Sequence, residues 1–243
     1  MNKKLFPIIL GGALAVAAYL YFSGEAKFGP DEFSQEAGEE EEARLNAFFD
    51  EVFEREVSQS PIRQAFLGRE SDQKDEWDDF SDAAVLEDLE ETKADLVRLG
   101  ADFDYQALSD NGKLSYDLFK ANLERRVRNT AFNNSFYVVD QFNGQVSFIL
   151  SMMQNVHSIE NVQDAEDYIS RVNGIEIIMK EYALQLADRA ANGVIAPAFS
   201  FSDVLTDVAA MGSGFPITEE ERENALFSDF KAKVEALEIS EEA

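Results

Sequence analysis

The sequence contains no cysteine and only one histidine, His157, in 243 residues. Without thiols there is no disulfide framework, thiolate zinc site, cysteine nucleophile or lipidated cysteine. A single histidine excludes any site that draws two imidazoles from one chain. Catalytic zinc usually needs three protein ligands, with two or more of them histidine or an equivalent soft donor. Basic residues are also scarce, with 21 Lys and Arg against 48 Asp and Glu and a formal net charge of −27. Phosphate backbones need clustered Lys and Arg, so nucleic acid is a poor partner. Anionic lipid headgroups would likewise be repelled, and the plain meaning of the charge is a heavily solvated surface suited to salty surroundings. No G-x-S-x-G elbow occurs. The Gly212-Ser213-Gly214 break lacks the Gly-Lys-Ser/Thr that a phosphate loop requires. There is no HExxH pattern and no EF-hand loop.

What is present is apolar enough to fold. Hydrophobic residues make up 45% of the chain and include 20 Phe, enough for one large domain or two small ones. Lys3 and Lys4 precede an uncharged, mostly apolar run from Leu5 to Phe22. Eighteen residues at 1.5 Å each reach roughly 27 Å, nearly the hydrocarbon thickness of a bilayer. Residues 1–30 therefore read as an uncleaved signal anchor that meets the membrane through residues 5–22. A cleaved signal peptide ending near Gly24-Glu25-Ala26 is the second reading, and a buried soluble helix the third. Lysines before the run and acids after it leave the N-terminus cytoplasmic and the remainder outside the cytoplasmic membrane. Residues 31–42 are acidic and lack a clear apolar period, which suggests a flexible spacer.

Residues 43–243 carry the helical period, so the expected fold class is all-α, an array of about seven soluble helices. Leu45, Phe48, Phe49, Val52 and Phe53 form a stripe at steps of three and four, in a helix ending at Ser58. Ser60-Pro61 begins a short helix, with Pro where a missing N–H costs nothing. Ser81 caps a helix expected to stop at Gly100, and Ser109 opens one running to about Thr130. "SFYVVDQF" is β-branched and aromatic and could be extended. A short apolar helix follows near Gln145–Met153. Asn161-x-x-Asp164 resembles a capping box for the longest helix. Its apolar stripe is Ala165, Ile169, Val172, Met179, Tyr182 and Leu186, and Gly193 closes it. Gly174 inside that helix allows a close contact or a bend. A helix near Ser202–Met211 comes next, and Thr218-x-x-Glu221 marks the start of a last helix ending near Leu237.

Four segments in this order resemble the N-terminal part of the bacterial domain-of-unknown-function 885 family: "SPIRQAFLGRESDQKDEWDDFS", "LSYDLFKANLE", "NVHSIENVQDAEDYISRV" and "DFKAKVEAL". The resemblance spans about Ala43 to Leu237. It implies an exported, mostly helical protein similar to zinc metallopeptidases. In such proteins a His-Glu pair and a further His lie in a C-terminal half. That metal signature does not occur in these 243 residues, so the resemblance transfers no catalytic residue, no metal ligand and no cofactor to this chain. Zinc belongs to the other half, and a separate metal-bearing C-terminal half is the implied partner. A standalone binding or scaffold module is the alternative.

Three residues stand out as pocket-lining or loop-fixing candidates. His157 sits among Glu160, Asp164, Glu166 and Asp167 just before the longest helix. With one or two carboxylates it makes a poor zinc site, so a hydrogen-bonded role at the mouth of that helix is expected. Arg125, with Arg126 and Arg128, forms the densest basic patch; it reads as paired with neighbouring acids or, alternatively, as a clamp for a carboxylate. Trp77, the only tryptophan, reads as a plug over the helical core or, alternatively, as an exposed binding anchor.

Overall fold

The computed structural model describes residues 30–140 and 144–237. The apolar run from Leu5 to Phe22 lies outside the described residues. No helix among the described residues is long and apolar enough to cross a membrane.

The fold is all-α. Eight α-helices are present among the described residues: α1 (Pro30–Ser58), α2 (Pro61–Phe66), α3 (Asp82–Asp102), α4 (Asp110–Thr130), α5 (Gln145–Asn155), α6 (Val162–Ala191), α7 (Ser200–Gly212) and α8 (Ala225–Glu235). The caps explain most boundaries. Ser60 Oγ accepts from Arg63 N at 3.0 Å, with Pro61 as the first helical residue of α2. Ser81 Oγ and Ser109 Oγ accept from Ala84 N and Gly112 N in the same manner. Gly193, at φ +80, takes the left-handed conformation that ends α6.

The structure departs from the sequence expectations at four places. Residues 31–42 are helical, so α1 starts ten or so residues before the expected point. Pro at its first position and a run with six Glu among residues 31–42 favour the helix without any apolar stripe. "SFYVVDQF" forms no strand among its described residues; a 3-10 turn at Asn133–Ser135 leads into irregular chain. α3 continues two residues past Gly100. The last helix opens at Ala225 rather than at Thr218, because Asn224 is the cap: its Oδ1 accepts from Leu226 N at 3.0 Å. The Asn224 amide also donates to Met211 O and Ser213 O at 2.9 and 2.8 Å. Thr218 is instead occupied inside the loop, where its Oγ1 accepts from Gly214 N.

The chain divides into two compact units. One holds the described residues up to Asp50 together with Arg98–Ala121, and the other holds Glu51–Val97 and Asn122 onward. The first is built on Leu45, Phe48, Leu99, Leu108 and Tyr116, all buried. The Phe48 ring meets Phe103 at 5.4 Å and Phe119 at 5.9 Å. The core of the second unit is formed by Ile62, Ile149, Met152, Met153, Ile159, Tyr168, Ile175, Ile178, Tyr182 and Leu226. Burying such side chains stabilises by roughly 25 cal/mol per Å² of apolar surface.

The long helix α6 organises the second unit. Its buried positions are Asp164, Tyr168, Arg171, Ile175, Ile178, Tyr182, Gln185 and Arg189, a strict alternation of four- and three-residue steps. The inward face is therefore turned from the expected apolar stripe, and Ile169 is 49% exposed. Half of the inward residues are polar, which hides this face from a search for apolar periodicity.

Candidate functional site

The polar residues at the start of α6 converge on His157. α5 ends at Asn155, and the N–H groups of Val156 and His157 both donate to Met152 O, at 3.0 and 3.1 Å, turning the chain sharply. The loop then reaches Asn161, whose Oδ1 accepts from Asp164 N at 3.0 Å and caps α6. Asp164 is too short to close an ordinary capping box. Its Oδ2 accepts from Glu160 N at 2.8 Å, one residue before the cap. Its Oδ1 accepts from Lys74 Nζ at 2.6 Å. Burial raises the Asp164 pKa, but the Lys74 ammonium and the Glu160 N–H outweigh it and hold the carboxyl below its ordinary value.

His157 is 1% exposed. Its Nε2 lies 3.2 Å from Asp164 O and its Nδ1 lies 3.1 Å from Arg171 Nη1. Arginine can only donate and a carbonyl can only accept. The imidazole is therefore neutral, with its proton on Nε2 and its Nδ1 lone pair facing Arg171. Burial pushes its pKa from 6.5 down to about 4; the Asp164 carbonyl opposes that, while Arg171, Lys74 and Lys233 add to it. The ring stands edge-on to Tyr168 at 5.2 Å. Lys233 of α8 binds the same loop, donating to Met153 O at 2.7 Å and His157 O at 2.9 Å. Tyr168 OH donates to Asp229 Oδ2 at 2.9 Å, and burial, reinforced by that carboxylate, raises its pKa.

Arg171 is 0% exposed. Besides His157 it reaches Glu76 O at 3.0 Å through Nε and Met152 Sδ at 3.6 Å. Burial lowers its pKa to about 10, against the distant pull of Asp78, Asp75 and Asp167. The loop before α3 is thus fastened to α6 by Lys74, Glu76 and Trp77. Trp77 is half-buried, and its indole N–H donates to Arg171 O at 2.8 Å. A Cβ on Gly174 would come within 2.8 Å of the Trp77 ring, so the bare backbone there permits the indole to lie against the helix. Arg125 is exposed and distinct from this cluster; its neighbour Arg126 makes the ion pairs, to Glu56 at 2.5 Å and Asp88 at 2.6 Å.

Two cavities flank α6. A polar one of about 190 Å³ is lined by His157, Arg171, Lys74, Asp164, Ser71 and Asn161, among others. An apolar groove of about 460 Å³ is lined mainly by Tyr168, Val172, Ile175, Met211, Ile217 and Phe227. No group of three or more His, Cys, Asp and Glu among the described residues is arranged to hold a metal ion.

The model of a bacterial family of proteins of unknown function, DUF885, matches residues 61–243. The chain belongs to the DUF885 family. No curated protein matches it, and no solved structure does. The DUF885 match contains the whole of the His157–Arg171 cluster, both cavities and helices α2 to α8.

Arg171, Lys74 and Lys233 were absent from the sequence-derived candidates. The signal for Arg171 was its spacing: Asp164, Tyr168 and Arg171 share one helical face with steps of four and three. For Lys74 and Lys233 the sequence carries no local sign, because their partners lie 90 and 80 residues away.

Proposed function

We propose that the chain is a membrane-anchored, extracytoplasmic helical domain of the DUF885 family that resembles the non-catalytic N-terminal half of a zinc metallopeptidase and is inactive as a peptidase alone. The observation that carries this reading is the engagement of the only histidine. A metal-ligating or proton-transferring imidazole needs a free nitrogen. Both nitrogens of His157 face fixed internal partners, and burial holds the ring neutral. Anchoring rests on Lys3, Lys4 and the apolar run to Phe22. The partner that would supply chemistry is a separate, metal-bearing C-terminal half of the peptidase-like type.

A mixed-peptide hydrolysis assay of the purified chain, with and without added zinc, tests the first part. No turnover is expected, and zinc-dependent turnover that survives repurification would contradict it. Fractionation tests the second: the chain is expected in the membrane fraction, accessible to protease in spheroplasts, and quantitative recovery from the soluble cytoplasm would sink anchoring.

The apolar groove favours a second reading, a standalone binding or scaffold module. Phe199 just before α7, Phe201, Leu205 and Val208 on it, and Phe215 and Ile217 in the loop after it are exposed. Contiguous exposed apolar surface marks interaction sites in soluble proteins. A hydrophobic dye should bind the chain, and Ile217→Asp should reduce that binding; a monodisperse chain that binds no dye would argue against it.

A further inference from the structure

The polar cavity beside His157 is lined in part by Arg171, a buried cation with one unpartnered nitrogen. Arg171 is wholly buried, yet no carboxylate lies within ion-pair reach of it among the described residues. Its internal acceptors are a carbonyl, an imidazole nitrogen and a thioether. Its Nη2 is buried and has no hydrogen-bond acceptor among the described residues. Buried charges are normally paired, and a buried donor left unmade is costly. The residues that line the cavity include Arg171, Lys74, Ser71, Asn161 and Asp164.

Charge at the inner wall is unbalanced. Arg171 and Lys74 are cationic, Asp164 alone is anionic, and Lys74 already pairs with it at 2.6 Å. Arg171 is left without a carboxylate in contact, and Asp78, Asp75 and Asp167 act on it only from a distance. At the mouth, Glu70 and Glu160 are exposed, and Arg69 is engaged with Glu54. A single negative charge would balance the inner wall, whereas a doubly charged anion would be repelled by the two mouth carboxylates.

We propose that this cavity binds a small monoanionic carboxylate, one of whose oxygens accepts from Lys74 Nζ beside its Asp164 partner while the uncompensated charge of Arg171 behind the wall favours the anion. Lys74 is already held by Asp164, so little side-chain freedom is lost on binding. The site is independent of membrane anchoring and of any peptidase relationship, and it uses the charge of Arg171, which the His157 contact leaves unneutralised.

Trp77 provides the reporter. It is the only tryptophan, and the Arg171 guanidinium lies 5.7 Å from its ring centre. The full chain, in a non-ionic detergent, is titrated with sodium acetate at constant ionic strength while its tryptophan fluorescence is followed. A saturable change is expected with acetate, none with acetamide, and weaker binding with inorganic phosphate. Lys74→Gln should weaken acetate at least ten-fold, and Arg171→Gln should weaken it as well. Lys74 is a quarter exposed, so its variant keeps the test valid if Arg171→Gln fails to fold. A short peptide with a free C-terminus, compared with its amide, separates two sources: competition by the free acid alone assigns a chain-terminal carboxylate, and no competition assigns a free small acid. No saturation with acetate, an equal response to acetamide, tighter binding of phosphate, or unchanged affinity in Lys74→Gln would overturn the proposal.

Discussion

Two arginines on one helix are both buried and electrostatically opposite. Near the C-terminal end of α6, Arg189 is 4% exposed and grips Asp82 with two bonds, at 2.7 and 2.6 Å. The Asp82 carboxylate raises its pKa, and Arg189 in turn lowers that of Asp82. Toward the N-terminal end, Arg171 is 0% exposed and touches only neutral groups, and burial lowers its pKa to about 10. Residue type and helix are the same, but Arg171 lies deeper in the protein and has no carboxylate in contact, so depth and partner together make the difference. Each keeps one buried nitrogen without a hydrogen-bond partner, Nε in Arg189 and Nη2 in Arg171, so in contacts what separates them is the neutralising carboxylate. An arginine held by a carbonyl and a neutral imidazole keeps its charge, and it adds to the burial that holds His157 neutral.

The sharpest way to break this comparison is acid. The folded His157 pKa is about 4 against an ordinary 6.5. Between those values the unfolded chain takes up a proton that the folded chain refuses, so stability falls as pH drops through that window. At 1.36 kcal/mol per unit the loss is about 3 kcal/mol. Denaturant unfolding from pH 7 to pH 4 should show it, and His157→Gln should flatten that part of the profile once the carboxylate contribution common to both is subtracted. The Arg189 end carries no such dependence above pH 5, since Asp82 is already ionised there.

Next in size is Asp82→Ala, which leaves buried Arg189 with only its longer contact to Asp188, at 3.2 Å. Asp82 is itself 41% exposed, so water replaces part of the contact, and a loss of about 1–3 kcal/mol is expected in equilibrium unfolding. Gly174→Ala lies between the two ends and pushes a methyl against Trp77. About 1 kcal/mol of destabilisation is expected, with an altered tryptophan emission because the indole must shift. Arg125→Ala is the smallest. This arginine is exposed on α4, and a change within about 0.5 kcal/mol is expected. A large effect there would show that solvent-facing arginines matter as much as buried ones.

The helical class and most boundaries were legible in the sequence because caps and apolar spacing are local. Ser60-Pro61, Ser81, Ser109, Asn161 and Gly193 act within a few residues of themselves. The inward face of α6 was not legible, because Asp164, Arg171, Gln185 and Arg189 occupy half of it and apolar counting selects the neighbouring stripe. The early start of α1 was missed for the opposite reason: its first turns are stabilised by composition and carry no stripe. The loop near Thr218 shows a true capping pattern losing to a better one, since Asn224 satisfies two N–H groups of α8 and three carbonyls at the end of α7. At the candidate site, His157 is conspicuous as a lone histidine, but its chemistry is set by Arg171, Lys74 and Lys233, which arrive from distant segments.

The central claim is that His157 is consumed by the fold, and one measurement addresses it directly. The chain has a single imidazole, so nitrogen-detected NMR of histidine-labelled protein yields one unambiguous signal. The account requires the Nε2–H tautomer at pH 7, a titration midpoint near 4, and no change on adding zinc. A midpoint near 6.5, or a zinc-induced shift of either ring nitrogen, would contradict it.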